Sequence, residues 1–570
     1  MTNLEIAQIL YQISEILELK DIQFKPRAYQ KAALAIESLS EDVREIYRKG
    51  GIKKLKEIPG VGESIAKKIE EYLKTGKIKA YQQLKKKLPV DIEELSKIPG
   101  LGPKKIKLLY KKLKIKNIKQ LQKAIKKHKL QKIPTLSEKT EKNLKEGIEF
   151  AKKSKRFLLG YVIPIAEDIK QQLQKQKFIK KVEIAGSYRR KKETLGDLDI
   201  LVISDKPKEA VEFFTKLKEV KKTLARGPTK ATIRLKNNLQ VDLRVLQEKE
   251  FGSALQYFTG SKQHNIEVRK IAIKKGYKLS EYGLFKKNKQ IAGKTEQEIY
   301  KKLGMQYPEP ELRTNSGEIQ AALKNKLPRL VNYKDIKADL HLHTTLSEGE
   351  HTVEEMAREA KRLGHKVIAI TDHFSTMKFT NPVTERRFNS YLKAIQKARK
   401  KVKGITILAG AEVDIDKNGK LYATKEMLKQ LQVINASIHS GFKQSEAVMT
   451  KRILTAFENY NITTFCHPTG RLINERPPYK VNLEKIFQAA KKHNIFLEIN
   501  AYPTRTDLNG EHIRTAREIG CKFVINTDSH SKDHMRFIDL GTAMARRGWL
   551  EKKHILNTYS LPKLLKTLKK

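Results

Sequence analysis

The stretch IAGSYRRKKETLGDLDILV (184–202) decides how this chain is read. An apolar, strand-like run leads into Gly186-Ser187, and Asp197-Leu198-Asp199 opens the next run. Side chains alternate along a strand, so Asp197 and Asp199 share one face. Downstream, LQVDLRVL (239–246) supplies Asp242, and Asn237-Asn238 just before it has the chemistry of a hairpin turn. Three carboxylates converging on one sheet face would hold two divalent cations, an arrangement suited to phosphoryl transfer. Gly186 lets backbone approach a triphosphate, and Ser187 and Arg190 can bind its oxygens. A lone Asp-x-Asp is usually an exposed acidic loop. The Gly-Ser at this spacing and the third Asp inside an apolar run favour a site.

The sequence before this stretch is Lys-rich and helical in period. It contains a repeat, IPGVGESIAKKIEEYL (58–73) and IPGLGPKKIKLLYKKL (98–113), with a degraded third copy in IPTLSEKTEKNLKEGI (133–148). Glycines here permit a tight turn that leaves backbone N–H groups and a helix N-terminus pointing outward, towards a phosphate oxygen. Such contacts hold a nucleic acid without reading its sequence. They fall on Gly60, Val61 and Gly62 and on Gly100, Leu101 and Gly102, and the repeats resemble helix-hairpin-helix motifs. The whole chain carries 118 basic against 64 acidic residues, a net +54, which implies a polyanionic partner. No long apolar span or signal peptide is read, so a membrane is not expected as that partner. Cys466 and Cys521 cannot build a disulfide framework, which fits a reducing cytoplasm.

The Gly-Ser, Asp-x-Asp and distal Asp signature resembles the nucleotidyltransferase superfamily. The paired hairpins and YFTGSKQHN (257–265) narrow the resemblance to family X DNA polymerases, the group of DNA polymerase beta. It implies an 8-kDa-type DNA-binding domain (1–85), a fingers-type helical domain (86–150), a palm (151–246) and a thumb (247–323). It further implies that Asp197, Asp199 and Asp242 hold two Mg²⁺ or Mn²⁺ ions, with Asp242 accepting the primer 3′-hydroxyl proton. Ser187 and Arg190 would hold the dNTP triphosphate, Tyr257, Phe258 and Gly260 its sugar, Asn265 its base, and Arg269 the templating side. Lys68 matches the Schiff-base lysine of an abasic-site lyase, with Lys25, Lys31, Lys67 and Tyr29 around it. Ser64 and Phe24 depart from the family pattern there.

After a Pro-containing linker (324–337), twelve of the 14 histidines follow residue 340. Six of them end strand-like runs: DLHLHTT (339–345), VIAITDH (367–373), ASIHS (436–440), TFCHP (464–468) and VINTDSH (524–530). Imidazoles beside carboxylates are the usual ligands of divalent metals. Seven such runs alternate with helical patterns, as in a parallel β/α barrel, whose chemistry sits at the C-terminal ends of its strands. Residues 338–570 resemble a PHP metallophosphoesterase domain. The fold class is thus multidomain: helical helix-hairpin-helix domains, an α+β palm and thumb, and a seven-stranded, distorted TIM-like PHP barrel. The resemblance implies that His341, His343, His373, Glu412, His439, His467, Asp528 and His530 hold up to three Mn²⁺ or Zn²⁺ ions, with Glu412 as a bridge. Glu348 stands where the family usually has Asp, and Arg471 would hold a substrate phosphate. Asp372 is read as supporting a ligand. His351, His365, His493, His512, His534 and His554 are read as surface residues.

The function expected is a monomeric, cytoplasmic repair polymerase that fills short gaps in DNA. Its barrel would act as a metal-dependent 3′–5′ exonuclease, with abasic-site endonuclease or 3′-phosphodiesterase activity in addition. The alternatives are a DNA-binding scaffold with relic sites, or a small-molecule phosphatase fused to a nucleotidyltransferase.

Overall fold

The computed structural model of the chain describes residues 2–19, 22, 25–37, 43–58, 60–86, 90–91, 95, 101, 103–133, 136, 140–141, 144–145, 148, 156–377 and 380–569. It divides into two compact units, one of Met1–Lys155 with Ile266–Gly276, the other of Arg156–Asn265 with Tyr277–Lys570. Phe24, Gly100 and Gly102, together with part of the third repeat, lie outside the described residues.

The first unit is helical. Ile6, Leu10, Ile13, Ala32, Ile36, Ile65 and Ile69 recur at helical spacing and close one apolar core. Leu95, Leu101, Ile106, Leu109, Leu121 and Ile125 close a second. In the first hairpin, Gly60 has φ +83°, and a Cβ there would lie 2.9 Å from Lys31 Cγ, so only glycine fits. Gly62 caps the N-terminus of the helix Glu63–Thr75, and Gly76 ends that helix in the left-handed region.

In the second unit, the palm is a five-stranded sheet. Its strands are Ile179–Ile184, Asp197–Ser204, Val220–Arg226, Lys230–Leu235 and Gln240–Leu246. The expected Asn-Asn hairpin joins the last two, with Asn238 at φ 72°. The strand bearing Asp197 and Asp199 runs between Ile179–Ile184, antiparallel, and Gln240–Leu246, parallel. The thumb adds the helix Phe251–Thr259 and a three-stranded antiparallel sheet over residues 277–292, while its helix Lys262–Lys274 belongs to the first unit from Ile266 onward.

Among the described residues the barrel has seven parallel strands in sequential order, Ala338–Leu342, Val367–Ile370, Thr406–Asp414, Val433–Ser437, Thr464–Phe465, Phe496–Asn500 and Phe523–Asn526, and an eighth short one, His373–Phe374, that pairs with Thr406–Asp414. A bridge from Leu342 to Ser529 closes the ring, with the His343 N–H donating to the Ser529 carbonyl at 2.9 Å. One apolar cluster seats strand residues such as Ile368 and Ile370 against Met356, Ala357 and Tyr391 of the surrounding helices. A smaller one gathers Leu340, Val367, Leu408, Val433, Phe496 and Val524 with Leu564 of the last helix, Leu561–Leu568.

The stretch 324–337, read as a linker, packs against the barrel: Val331 is fully buried in the barrel cluster, and its N–H donates to the Leu550 carbonyl at 3.0 Å. The barrel also docks on the palm. Leu540 of the barrel belongs to the palm core, and a Cβ on Gly160 of the palm would meet Pro503 Cγ at 2.6 Å and Leu540 Cδ1 at 2.7 Å. Arg547 Nη1 donates to the Arg190 carbonyl at 2.8 Å. No helix among the described residues is long and apolar enough to cross a membrane.

Candidate functional site

Two acid-rich centres lie in the second unit. In the palm, the parallel register sets Asp199 directly beside Asp242, and Asp197 beside Gln240. Gly186, at φ +63°, approaches so closely that a Cβ would stand 2.5 Å from Asp199 Oδ2. Burial, then Asp197 and Asp242, push the Asp199 carboxyl up to about 7. Burial and Asp242 also raise Asp197. Crowded carboxylates of this kind are a donor set for hard divalent ions. Asp242 accepts from Thr232 Oγ1 at one oxygen and from Gln240 Nε2, at 2.9 Å, at the other.

Around these acids, Ser187 is half-buried on the short helix Gly186–Arg189. Arg190 Nη1 donates to the Thr259 carbonyl and would lie 3.0 Å from a Cβ on Gly260. Tyr257 is exposed, and the Phe258 ring lies 4.5 Å beneath the Arg244 guanidinium. Asn265 is buried. Its amide donates to the Tyr257 carbonyl at 2.7 Å and accepts from Gln256 at 2.8 Å, so it is turned into its own fold. Arg269, in the first unit, is half-buried on the helix Lys262–Lys274. Lys68, in the first unit, donates to Ser64 Oγ at 2.9 Å, with its Nζ 6.0 Å from the centre of the Tyr29 ring.

The barrel centre is denser. Glu412 is buried in its middle. Its Oε2 faces His373 Nδ1 at 3.1 Å, His341 Nε2 at 3.3 Å and His343 Nε2 at 3.5 Å. Its Oε1 faces His467 Nε2 at 3.0 Å and His439 Nε2 at 3.3 Å. Asp528 Oδ1 stands 3.2 Å from His343 Nε2. Glu348 Oε1 reaches both His373 and His530, at 3.0 and 2.9 Å, so the longer side chain still enters the cluster.

Several of these imidazole nitrogens are buried without any hydrogen bond: His341 Nε2, both nitrogens of His343, and Nδ1 of His373 and of His467. Buried polar atoms are rarely left so, and orphans aimed at carboxylates fit metal ions between them. Burial, with His530 and His373 nearby, depresses His343 to about 3, leaving the neutral imidazole that ligation needs. Burial would raise Glu412, but the imidazoles of His373, His341 and His439 hold it well below the usual carboxylate range.

The supporting layer went largely unread in the sequence. Glu498 accepts from His341 Nδ1 at 2.7 Å, and Asp414 from His439 Nδ1 at 2.6 Å. Each fixes which ring nitrogen faces inward. The signal for Glu498 was a lone acid inside the apolar run FLEIN (496–500). Asp372 accepts from Thr344 Oγ1 at 2.8 Å and from Ser347 Oγ at 2.6 Å.

Arg471 is placed elsewhere. Its Nε donates to the Arg505 carbonyl at 2.9 Å and its Nη2 to the Thr506 carbonyl, and it pairs with Glu193 of the palm at 3.4 Å. Gly470, at φ 60°, turns the chain away from His467. The guanidinium groups lining the metal pocket are those of Arg476 and Arg505. His365 is also misplaced by the sequence reading. It is only 4% exposed, whereas His351, His493, His512, His534 and His554 are half-buried.

Comparison with known proteins agrees with both centres. Residues 162–274 match the DNA polymerase beta palm, 254–314 the DNA polymerase beta thumb and 339–502 the PHP domain. Residues 1–78 match a helix-hairpin-helix domain and 92–149 a SAM-like helix-hairpin-helix tandem. The chain is 35% identical over 563 residues to the DNA polymerase/3′-5′ exonuclease PolX of Bacillus subtilis (strain 168), covering 98% of this chain and 97% of that protein. A probable phosphatase of Thermoanaerobacter sp. (strain X514) is 29% identical over 231 residues, 39% of this chain and 89% of its own length. The chain belongs to the family X DNA polymerases that carry a C-terminal PHP domain.

Proposed function

We propose that this protein fills short gaps in DNA from dNTPs at its palm and degrades DNA 3′ ends at its barrel. The observation that carries the reading is the presence, in one compact unit, of two acid clusters built on different sheets. Asp197, Asp199 and Asp242 fit two Mg²⁺ or Mn²⁺ ions, and the ring around Glu412 fits up to three Mn²⁺ or Zn²⁺ ions. Ions held in these places supply Lewis-acid polarisation of phosphoryl oxygens. In the palm, Ser187 and Arg190 orient the triphosphate, and Asp242 takes the primer 3′-hydroxyl proton at a carboxylate oxygen. Tyr257, Phe258 and Gly260 flank the sugar. In the barrel, Arg505 stands where a phosphate would enter, its Nε 3.3 Å from Asp528 Oδ2.

The backbone turn at Gly60–Gly62 grips a phosphate, the repeated Gly100-Leu101-Gly102 sequence is proposed for the same role, and the chain works as a monomer. Lys68 is the candidate lyase nucleophile. Borohydride trapping on a 5′-deoxyribose-phosphate end should give an adduct that Lys68→Ala loses. The main test is an end-labelled primer on gapped DNA. Lengthening with dNTPs and shortening without them are expected. Hydrolysis of small phosphate esters with the DNA left untouched would replace this reading by that of a fused phosphatase. A protein that binds DNA and does neither would be a scaffold.

A further inference from the structure

The loops that follow the ligand-bearing strands of the barrel also contribute side chains that ligate nothing. Met377 and Thr380 follow His373, Phe442 follows His439, Leu472 and Arg476 follow His467, and Arg505 follows the strand Phe496–Asn500. With Glu348, His373, Glu412, His439, Asp528 and His530 they line one cavity of about 220 Å³. That is smaller than the ~300–1,000 Å³ of drug-sized ligand sites. Its volume is of the order of a single nucleotide unit rather than a base pair.

Part of the lining is aromatic or apolar. The Arg476 guanidinium lies 4.0 Å from the centre of the Phe442 ring. Phe442 in turn stacks on Tyr479, with their planes 25° apart. The stack is braced from behind. Arg476 donates to the Gly470 carbonyl through Nε at 3.2 Å and Nη2 at 2.9 Å, and the Tyr479 hydroxyl donates to the Pro468 carbonyl at 2.7 Å. Gly470 packs so closely that a Cβ would meet Tyr479 at 2.5 Å. Bases of single-stranded nucleic acid stack on aromatic rings and guanidinium planes of this kind. A metal centre alone needs neither Phe442 nor Leu472.

We propose that this part of the lining seats the 3′-terminal nucleoside of the strand being degraded. Its base lies against the Phe442–Arg476 stack and beside Leu472 and Met377. Its phosphodiester then turns towards Arg505 and the acids. This inference rests on the exonuclease reading above and adds to it that the barrel grips the base as well as the phosphate. An end must therefore be unpaired to enter.

The test uses the full-length protein with Mn²⁺ and two single-stranded oligonucleotides. One ends in a normal 3′ thymidine, the other in a 3′-terminal tetrahydrofuran residue that lacks a base. Wild type should show a KM lower for the base-bearing end on the order of 10-fold. Phe442→Ala should raise that KM to the value for the baseless end, and Phe442→Trp should restore the preference. Quenching of a 3′-terminal 2-aminopurine should likewise be deeper in wild type than in Phe442→Ala. Degradation without base preference in wild type, or a preference that survives Phe442→Ala, overturns the seat while leaving the exonuclease in place. Failure of wild type to degrade either oligonucleotide overturns the exonuclease reading and the seat with it.

Discussion

His365 offers a sharp test of the barrel's packing. The helix Val353–Arg362 ends with Gly364 at φ +89°. The His365 N–H donates to the Ala360 carbonyl and the Gly364 N–H to the Lys361 carbonyl, both at 3.0 Å. This paired pattern normally buries an apolar side chain at the position His365 occupies. Here both imidazole nitrogens are buried with no hydrogen bond. Burial, aided by the Lys337 cation, lowers the His365 pKa from 6.5 to about 4. The unfolded chain therefore takes up a proton that the folded chain refuses. Stability from this group is fully present above pH 6.5 and is lost as pH falls towards 4. At about 1.36 kcal/mol per unit, the loss reaches ~2 kcal/mol by about pH 5. His365→Leu removes this dependence and suits the apolar position. Urea unfolding can be followed through Trp549, the one tryptophan of the chain, which is buried in the barrel. The variant should match or exceed wild type at pH 7.5, and the gap in its favour should widen by ~2 kcal/mol at about pH 5. A constant gap across that window would refute the argument, because it would mean that the imidazole finds a partner or water.

The two centres should be separable by mutation: Asp199→Ala should abolish primer extension and keep 3′ degradation, while His341→Ala with His343→Ala should do the reverse, both read on one gel. Glu348→Ala should weaken Mn²⁺ binding at the barrel by about 10-fold or more in calorimetric titration, and unchanged affinity would remove Glu348 from the ligand set. Arg313, fully buried, pairs with Glu296 at 2.6 Å and, together with Arg189, holds that carboxyl down at about 2 against the effect of burial. Arg313→Met should therefore cost about 1–3 kcal/mol of stability, seen as a lowered melting transition, because it removes one of the two guanidinium partners of a buried carboxylate and leaves Arg189 as the other. DNA affinity should fall with salt at a log–log slope near −5 if about six phosphates are neutralised; a flat fluorescence titration would remove the phosphate backbone as the main contact.

Legibility followed the physics of each residue. The three palm acids were readable because strand alternation fixes faces, and the parallel pairing of Asp199 with Asp242 needed only that both runs be strands. The barrel histidines were readable because each ends an apolar run, where such barrels place their chemistry. Glu498 was not, since it acts through His341 from a strand that carries no histidine. Arg471 misled because closeness to His467 in sequence does not survive the left-handed turn at Gly470. Arg476 and Arg505, from separate loops, meet only in three dimensions. The burial of His365 and of Val331 depends on what packs over them, which no local pattern records.

The seam between palm and barrel has a consequence for heredity. Leu540 is encoded with the barrel yet completes the core of the palm, and Gly160 is encoded with the palm yet keeps the space that Pro503 and Leu540 fill. A change of volume at any of the three is felt on both sides of the seam. A lineage cannot discard or exchange the barrel as a cassette without first mending the hole left in the palm. Selection acting on either activity thus holds the other half of the gene in place.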